Sequence, residues 1–240
     1  MKLEFSGKRA LILGGTCEMA LVLAKILLEN QIFPILTYRN TDGYNRIHNC
    51  LKNVPKDCFH CLHVDFSTNE FILPENLDYL IDFLQEDFES LIPGACNNTI
   101  ESYFTTNITR RSQVIQRVSR NMLAQRKGRL IYVSSTAALR PNPGQGFYAA
   151  AKTASEAIYR NVGLELGDRG ITAVSLRVGY IESGRGRTYI TNTPSIKKYV
   201  LKMNQVVETI LFLMSDSATG LNGVEILMDR GLTSGKALIH

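Results

Sequence analysis

The chain has 240 residues, 45% hydrophobic and 20% charged, enough for one sizeable core and too little for two independent domains. Its 27 basic and 22 acidic residues leave a net charge of +5. The basic side chains are scattered, which suits an anionic ligand and argues against a nucleic-acid groove. No apolar run reaches the roughly 20 residues of a membrane span. No apolar leader precedes a cleavage site, and five irregularly spaced cysteines fit reduced thiols and a cytoplasmic protein.

In chain order, the first strand is expected at Arg9 to Leu13 and runs into Gly14-Gly15-Thr16-Cys17-Glu18-Met19-Ala20, where a helix to Glu29 begins. Backbone N–H groups at such a helix start can hold a pyrophosphate. Gly14 permits the tight turn and Ala20 the close helix-to-sheet contact. Gly15, Thr16, Glu18 and Met19 complete the candidate cofactor loop, although a carboxylate at Glu18 suits it only if it points away. A second strand is expected at Ile32 to Thr37, followed by Tyr38-Arg39-Asn40. With no acid at its end, Arg39 favours the 2′-phosphate of NADP(H) over the free hydroxyl of NAD(H).

His48 and Cys50 are placed on the next helix, ahead of a third strand at Phe59 to Val64 and then Asp65. Cys58, His60, Cys61 and His63 crowd this strand, yet no second well-spaced pair completes a tetrahedral set, so no metal is expected. A fourth strand is read at Phe88 to Ile92, before Pro93-Gly94-Ala95-Cys96. A long helix follows at Ile100 to Gln125. The fifth strand, Arg129 to Ser134, ends at Ser134-Ser135, and a helix from Phe147 to Leu166 begins with Tyr148-Ala149-Ala150-Ala151-Lys152. Residues four apart share a helical face. An ammonium stabilises phenolate, so Lys152 makes Tyr148 usable as an acid or base. Ser135 can polarise a carbonyl by hydrogen bonding. Strands at Ile171 to Arg177 and Val224 to Met228 flank a helix at Asn204 to Ser215. Strands alternating with helices imply one α/β domain over residues 1–240, a Rossmann-like doubly wound parallel sheet of about seven strands with helices on both faces.

These spacings together resemble the short-chain dehydrogenase/reductase family over nearly the whole chain. The resemblance implies catalytic roles for Ser135, Tyr148 and Lys152, and for Asn107 in Thr106-Asn107-Ile108, whose family counterpart holds a proton-relay water. It implies cofactor contacts at the Gly14 to Ala20 loop, at Asp65 beside the adenine, and at Tyr148 and Lys152. It extends these to Gly179 and Ile181 in the stretch Arg177 to Ser183, and to Gly94 as what remains of the family's Asn-Asn-Ala-Gly loop. Leu227-Met228-Asp229-Arg230-Gly231 is similar to the family's carboxyl-terminal Asp-Gly-Gly ending. Three departures stand out: Glu18 replaces the second glycine; Pro93-Gly94-Ala95-Cys96 stands for Asn-Asn-Ala-Gly, without its asparagine contacts; and only ten residues separate Cys96 from Asn107, with Val178 in place of the proline. The implied activity is NADP(H)-dependent reduction of a ketone or 3-oxoacyl carbonyl; the alternative is a catalytically degenerate nucleotide-binding or scaffolding protein.

Gly184 to Tyr199 is expected to cover the substrate, with Arg185, Arg187, Lys197 and Lys198 able to attract an anion. Arg126 and Arg169 resemble arginines that dock an acidic acyl carrier protein in bacterial 3-oxoacyl-carrier-protein reductases. Family members pair their long helices between subunits, which implies a homodimer or homotetramer.

Overall fold

The structure is a computed structural model and describes residues 3–67 and 71–234. In the first strand (β1, Arg9–Leu13), Ala10 and Ile12 face one core layer and Leu11 and Leu13 the other; all four are fully buried. Burial on both faces is what makes such a strand read as a continuous apolar run. The chain continues through α1 (Glu18–Glu29), β2 (Phe33–Tyr38), α2 (Thr41–Cys50), β3 (His60–His63), β4 (Tyr79–Asp82), α3 (Asn97–Phe104), α4 (Arg111–Gln125) and β5 (Gly128–Ser135). It ends with α5 (Gly146–Leu166), β6 (Ile171–Val178), α6 (Arg185–Asn192), α7 (Met203–Met214) and β7 (Val224–Met228).

The strands form one parallel sheet in the order β3-β2-β1-β4-β5-β6-β7. Leu23 and Leu27 of α1 and Val206 and Ile210 of α7 pack on one face. Val114 and Val118 of α4 and Tyr159 and Val162 of α5 pack on the other. Strand order reverses between β1 and β4, so the loops at their carboxyl ends part there and leave a cleft. Among the described residues, no helix is long and apolar enough to cross a membrane.

The fourth strand is Tyr79–Asp82, not Phe88 to Ile92. Asp82 is fully buried and pairs in register with Leu13 and Tyr132. A carboxylate inside a strand breaks the apolar pattern by which strands are read, and here Arg111 neutralises it from α4. The Phe88 to Ile92 segment clamps the start of α5 instead: Phe88 stacks on Phe147 at 4.9 Å, and Ile92 occupies the space where a Cβ on Gly146 would lie. The long helix expected from Ile100 is also interrupted, by a π-helical turn at Thr105–Arg110. Such turns recur at functional sites, and this one carries Asn107.

Candidate active site

The cleft at the switch point encloses about 980 Å³ and is lined by Gly14, Thr16, Arg39 and Asp65 among the residues picked out in the sequence. Gly14 has φ +68°, and a Cβ there would meet the Phe83 backbone at 2.9 Å, so only glycine suits the turn. The turn closes through Cys17 N donating to the Gly14 carbonyl at 3.1 Å. Thr37, which the sequence reading missed, ties it to β2: its Oγ1 accepts from Gly14 N and donates to the Ile12 carbonyl. Gly15 lies beneath, where a Cβ would be 2.8 Å from Leu36 and Thr37. Asp65 accepts from Ser67 N at 2.9 Å, a bond that holds its carboxyl below the usual range. Arg39 is exposed at the rim and pairs with Glu86 at 3.0 Å.

Glu18 does point away from the turn. Its carboxylate accepts from Ser183 Oγ at 3.0 Å and from both terminal nitrogens of Arg187, and these contacts, Ser183 first, hold its pKa below the usual carboxylate value. Arg187 of the covering segment is therefore engaged by α1. The side chain of Arg185 lies outside the described residues.

Gly94 does not belong to the cleft. The loop that follows β4 is Phe83 to Glu86, which lines it, whereas Gly94 ends an exposed turn at Ile92–Gly94. The short spacing from Cys96 to Asn107 is thus no deletion: Glu86 N donates to Asn107 Oδ1 from twenty-one positions upstream.

Outside the lining of this cleft, Ser135 is the last residue of β5, and Tyr148 and Lys152 lie in the first two turns of α5. Lys152 is 3% exposed, donates to the Val133 carbonyl at 2.9 Å, and stands 5.7 Å from the Tyr148 ring centroid. Its ammonium is thereby fixed two residues from Ser135 along β5. Ser135 Oγ accepts from Ala137 N at 3.2 Å. Phe147, held by Phe88 and Phe104, steadies the turn that carries Tyr148. Glu156, 1% exposed, binds Arg177 through both oxygens and locks α5 to β6.

Beneath these groups runs a buried polar network that the sequence reading did not anticipate. Arg111 Nε donates to Asp82 Oδ2 at 2.8 Å, Tyr159 OH donates to the same oxygen at 2.9 Å, and Arg111 Nη1 donates to Ser155 Oγ at 3.0 Å. Arg111 also donates to the carbonyls of Asn107 and Leu84. Burial works against the Arg111 charge, but Asp82, with Tyr132 and Tyr159, together more than offset it and keep the guanidinium protonated. Asn107 Nδ2 donates to the Tyr103 carbonyl, so the asparagine side chain is spent on holding the π-helical turn. The one signal in the sequence is that Arg111 lies four residues after Asn107.

A second cavity, of about 370 Å³, opens beside Ser135 and Gly179 and includes Tyr180, Tyr189 and Arg140. Ile181 is 9% exposed and bridges to Leu201 behind it. Neither cavity's lining includes Gly15, Glu18, Met19, Asn107, Tyr148, Lys152 or Ile181. A third cavity, of about 180 Å³, lies at the opposite ends of the strands beside Asp78 and Lys127 and holds none of the predicted residues. His63 Nε2 meets the Arg39 carbonyl, and Cys61 Sγ lies 3.8 Å from His48 Nδ1. Among the described residues no three His, Cys, Asp or Glu side chains gather as metal ligands.

The family model described as short chain dehydrogenase matches residues 8–193. The 3-oxoacyl-acyl-carrier-protein reductase FabG of Buchnera aphidicola subsp. Acyrthosiphon pisum is 24% identical across 96% of this chain and 99% of that protein. L-xylulose reductase of Caenorhabditis elegans is 29% identical over 57% of this chain and 58% of its own length. Among solved structures, a gluconate 5-dehydrogenase from Burkholderia cenocepacia in complex with NADP and tartrate superimposes with TM-score 0.84 at 20% identity, covering 97% of this chain and 98% of that one.

Proposed function

The chain belongs to the short-chain dehydrogenase family and is an oxidoreductase of that kind, and from this premise we propose that it reduces a ketone or 3-oxoacyl carbonyl with NADPH. The observation that carries the reading is the tie of buried Lys152 to the Val133 carbonyl, two residues before Ser135, and its place 5.7 Å from the Tyr148 ring, with Ser135 lining a cavity of about 370 Å³ and a separate cleft of about 980 Å³ at the glycine turn. That volume is at the upper end for small-molecule sites. The residues present fit a dinucleotide: the glycine turn admits close backbone approach, the α1 amino terminus favours an anion, and Glu18 is drawn off by Ser183 and Arg187. Gly14 and Thr16, which line the cleft, would hold the pyrophosphate at the start of α1, Asp65 the adenine, and Gly179 would flank the nicotinamide.

When bound, the nicotinamide supplies hydride to the carbonyl carbon. Ser135 donates a hydrogen bond to the carbonyl oxygen. Tyr148 delivers the proton to that oxygen as it gains charge, and Lys152 stabilises the phenolate left behind. Asn107 acts from the π-helical turn, where its carbonyl already accepts from Arg111. That engaged carbonyl is also the observation that favours the second reading, a nucleotide-binding protein without turnover.

For the cofactor, support for NADPH comes from Arg39 and from the cheapness of its present bond. An exposed pair is worth about 0–1 kcal/mol, so a doubly charged phosphate can displace Glu86. The gluconate 5-dehydrogenase structure also holds NADP. A carrier-borne substrate is a narrower matter. Arg126 and Arg169 precede β5 and β6, at the ends of the sheet opposite Ser135. A carrier docked on them would therefore serve another copy in a homodimer or homotetramer.

Tyr148→Phe tests the proposal. With a carbonyl panel and NADPH, turnover is expected to fall by roughly 10² to 10⁴ fold or more, with melting temperature and NADPH affinity kept. A variant that turns over at nearly the parent rate would leave Tyr148 as packing only.

A further inference from the structure

The second cavity carries a more specific assignment than the family gives. It has a floor at Ser135 and Gly179, and its walls come from the turn after β5 and from the covering segment. Arg140 is its single charged lining residue. The Arg140 backbone N–H donates to the Thr136 carbonyl at 2.8 Å, and Pro141 follows, so the turn fixes where the side chain starts. Arg140 is exposed, and among the described residues no carboxylate pairs with its guanidinium. Glu89, the nearby acid, is not among the lining residues; its carboxylate accepts from Gln145 Nε2, which is, at 3.2 Å.

Facing this cation are aromatic walls. Tyr180 and Tyr189 stack at 4.8 Å with planes 9° apart, although Tyr189 is 41% exposed. Asn142 Nδ2 donates to the Tyr180 hydroxyl at 3.3 Å, which joins the Arg140 turn to the stack. Burial, and then Tyr189, push the Tyr180 phenol up to about 12, so the pocket gains no negative charge there at neutral pH. Tyr199 completes the wall, with the Lys198 ammonium 4.9 Å from its ring centroid. A cavity of about 370 Å³ is near the small end for ligand sites, which favours a compact substrate over a long acyl chain.

The geometry points to a ketone substrate that bears both an anionic group, bound by Arg140, and a planar ring, laid against the Tyr180–Tyr189 stack. Arg140 and Tyr189 are on this account specificity-determining residues. The inference rests on the carbonyl-reductase reading and narrows its substrate class. The anion is a carboxylate or a phosphate, since a guanidinium pairs with either in a forked geometry.

The experiment compares 4-oxo-4-phenylbutanoate with its methyl ester, its phosphonate analogue and the ring-less 4-oxopentanoate. Each is measured for NADPH-dependent reduction and, separately, for binding to the NADP-loaded protein by calorimetry. The parent protein should prefer the acid to the ester in kcat/KM, mainly through KM. Arg140→Gln should erase that ratio by roughly 10- to 100-fold, and Arg140→Lys should restore part of it. Tyr189→Leu should lower the preference for the phenyl ketone over 4-oxopentanoate by roughly 3- to 10-fold. The acid and phosphonate arms tell carboxylate from phosphate. Reduction that ignores the charge, with a ratio untouched by Arg140→Gln, overturns the inference and leaves the reductase reading standing. Calorimetric binding that selects the anion and fails in Arg140→Gln, without reduction of any ketone, does the reverse. Neither charge-selective binding nor reduction overturns both.

Discussion

The buried base, or floor, and the exposed edge, or rim, of the region around the switch-point cleft are both held by acid–arginine pairs of similar length, and the two could hardly mean more different things. On the floor, Asp82 and Arg111 meet at 2.8 Å with both side chains 0% exposed. On the rim, Arg39 meets Glu86 at 3.0 Å with exposures of 65% and 33%, and Arg187 meets Glu18 at 2.9 Å with 56% and 28%. Water screens the rim pairs, so each is cheap to exchange for a phosphate or a substrate anion. On the floor there is no water to take over either partner, and removing one strands the other. The same contact is a fixed joint in one place and an exchangeable latch in the other.

The largest effect expected is therefore at the floor. Arg111→Leu should cost roughly 3–5 kcal/mol of folding free energy, because Asp82 is left buried and uncompensated. Urea unfolding measures it, and the double variant Asp82→Leu/Arg111→Leu should recover much of the loss. A single variant within 1 kcal/mol of the parent would put the floor in the same class as the rim.

At the rim the expected losses move from folding to binding. Arg39→Ala should weaken NADPH by roughly 1.5–3 kcal/mol, the worth of a charge-assisted contact, while NADH changes little. Fluorescence titration of both cofactors decides, and equal losses would remove the NADPH assignment.

The smallest effect belongs to Glu18. Its folded pKa is lowered, by Ser183 first and then Arg187, so its contribution is present above the unfolded carboxylate value and is lost as pH falls through the folded one. Glu18→Gln should cost about 0–1 kcal/mol at neutral pH and should flatten the stability–pH curve on its acid limb. An unchanged acid limb would show that the latch is not populated in solution.

The Ser135–Tyr148–Lys152 end and the glycine-turn end were unequally legible. Tyr148 and Lys152 are four apart on one helix, and Ser135 closes a strand that runs straight into their neighbourhood, so local periodicity was enough to group them. Tyr79–Asp82 was passed over in favour of Phe88 to Ile92, because a buried aspartate breaks the apolar pattern of a strand until its arginine, twenty-nine positions away, is known. That error carried Gly94 into the cofactor set and made a normal loop look shortened. Thr37, Arg140 and Tyr189 were missed for a related reason: each is an ordinary residue until another segment is folded against it.

By itself, then, the sequence determined the alternation of strand and helix, the glycine turn and the shared helical face of Tyr148 and Lys152, all of which depend on neighbours within a few residues and on the periods of 2 and 3.6. Only the tertiary structure decided where the charges go. Whether Asp82 ends a strand or a turn, whether Glu18 faces the cleft or the covering segment, and which arginine stands open beside Ser135 depend on burial and on partners brought from distant parts of the chain. Electrostatic energies are set by that local environment, water or protein, and no short stretch of sequence contains it.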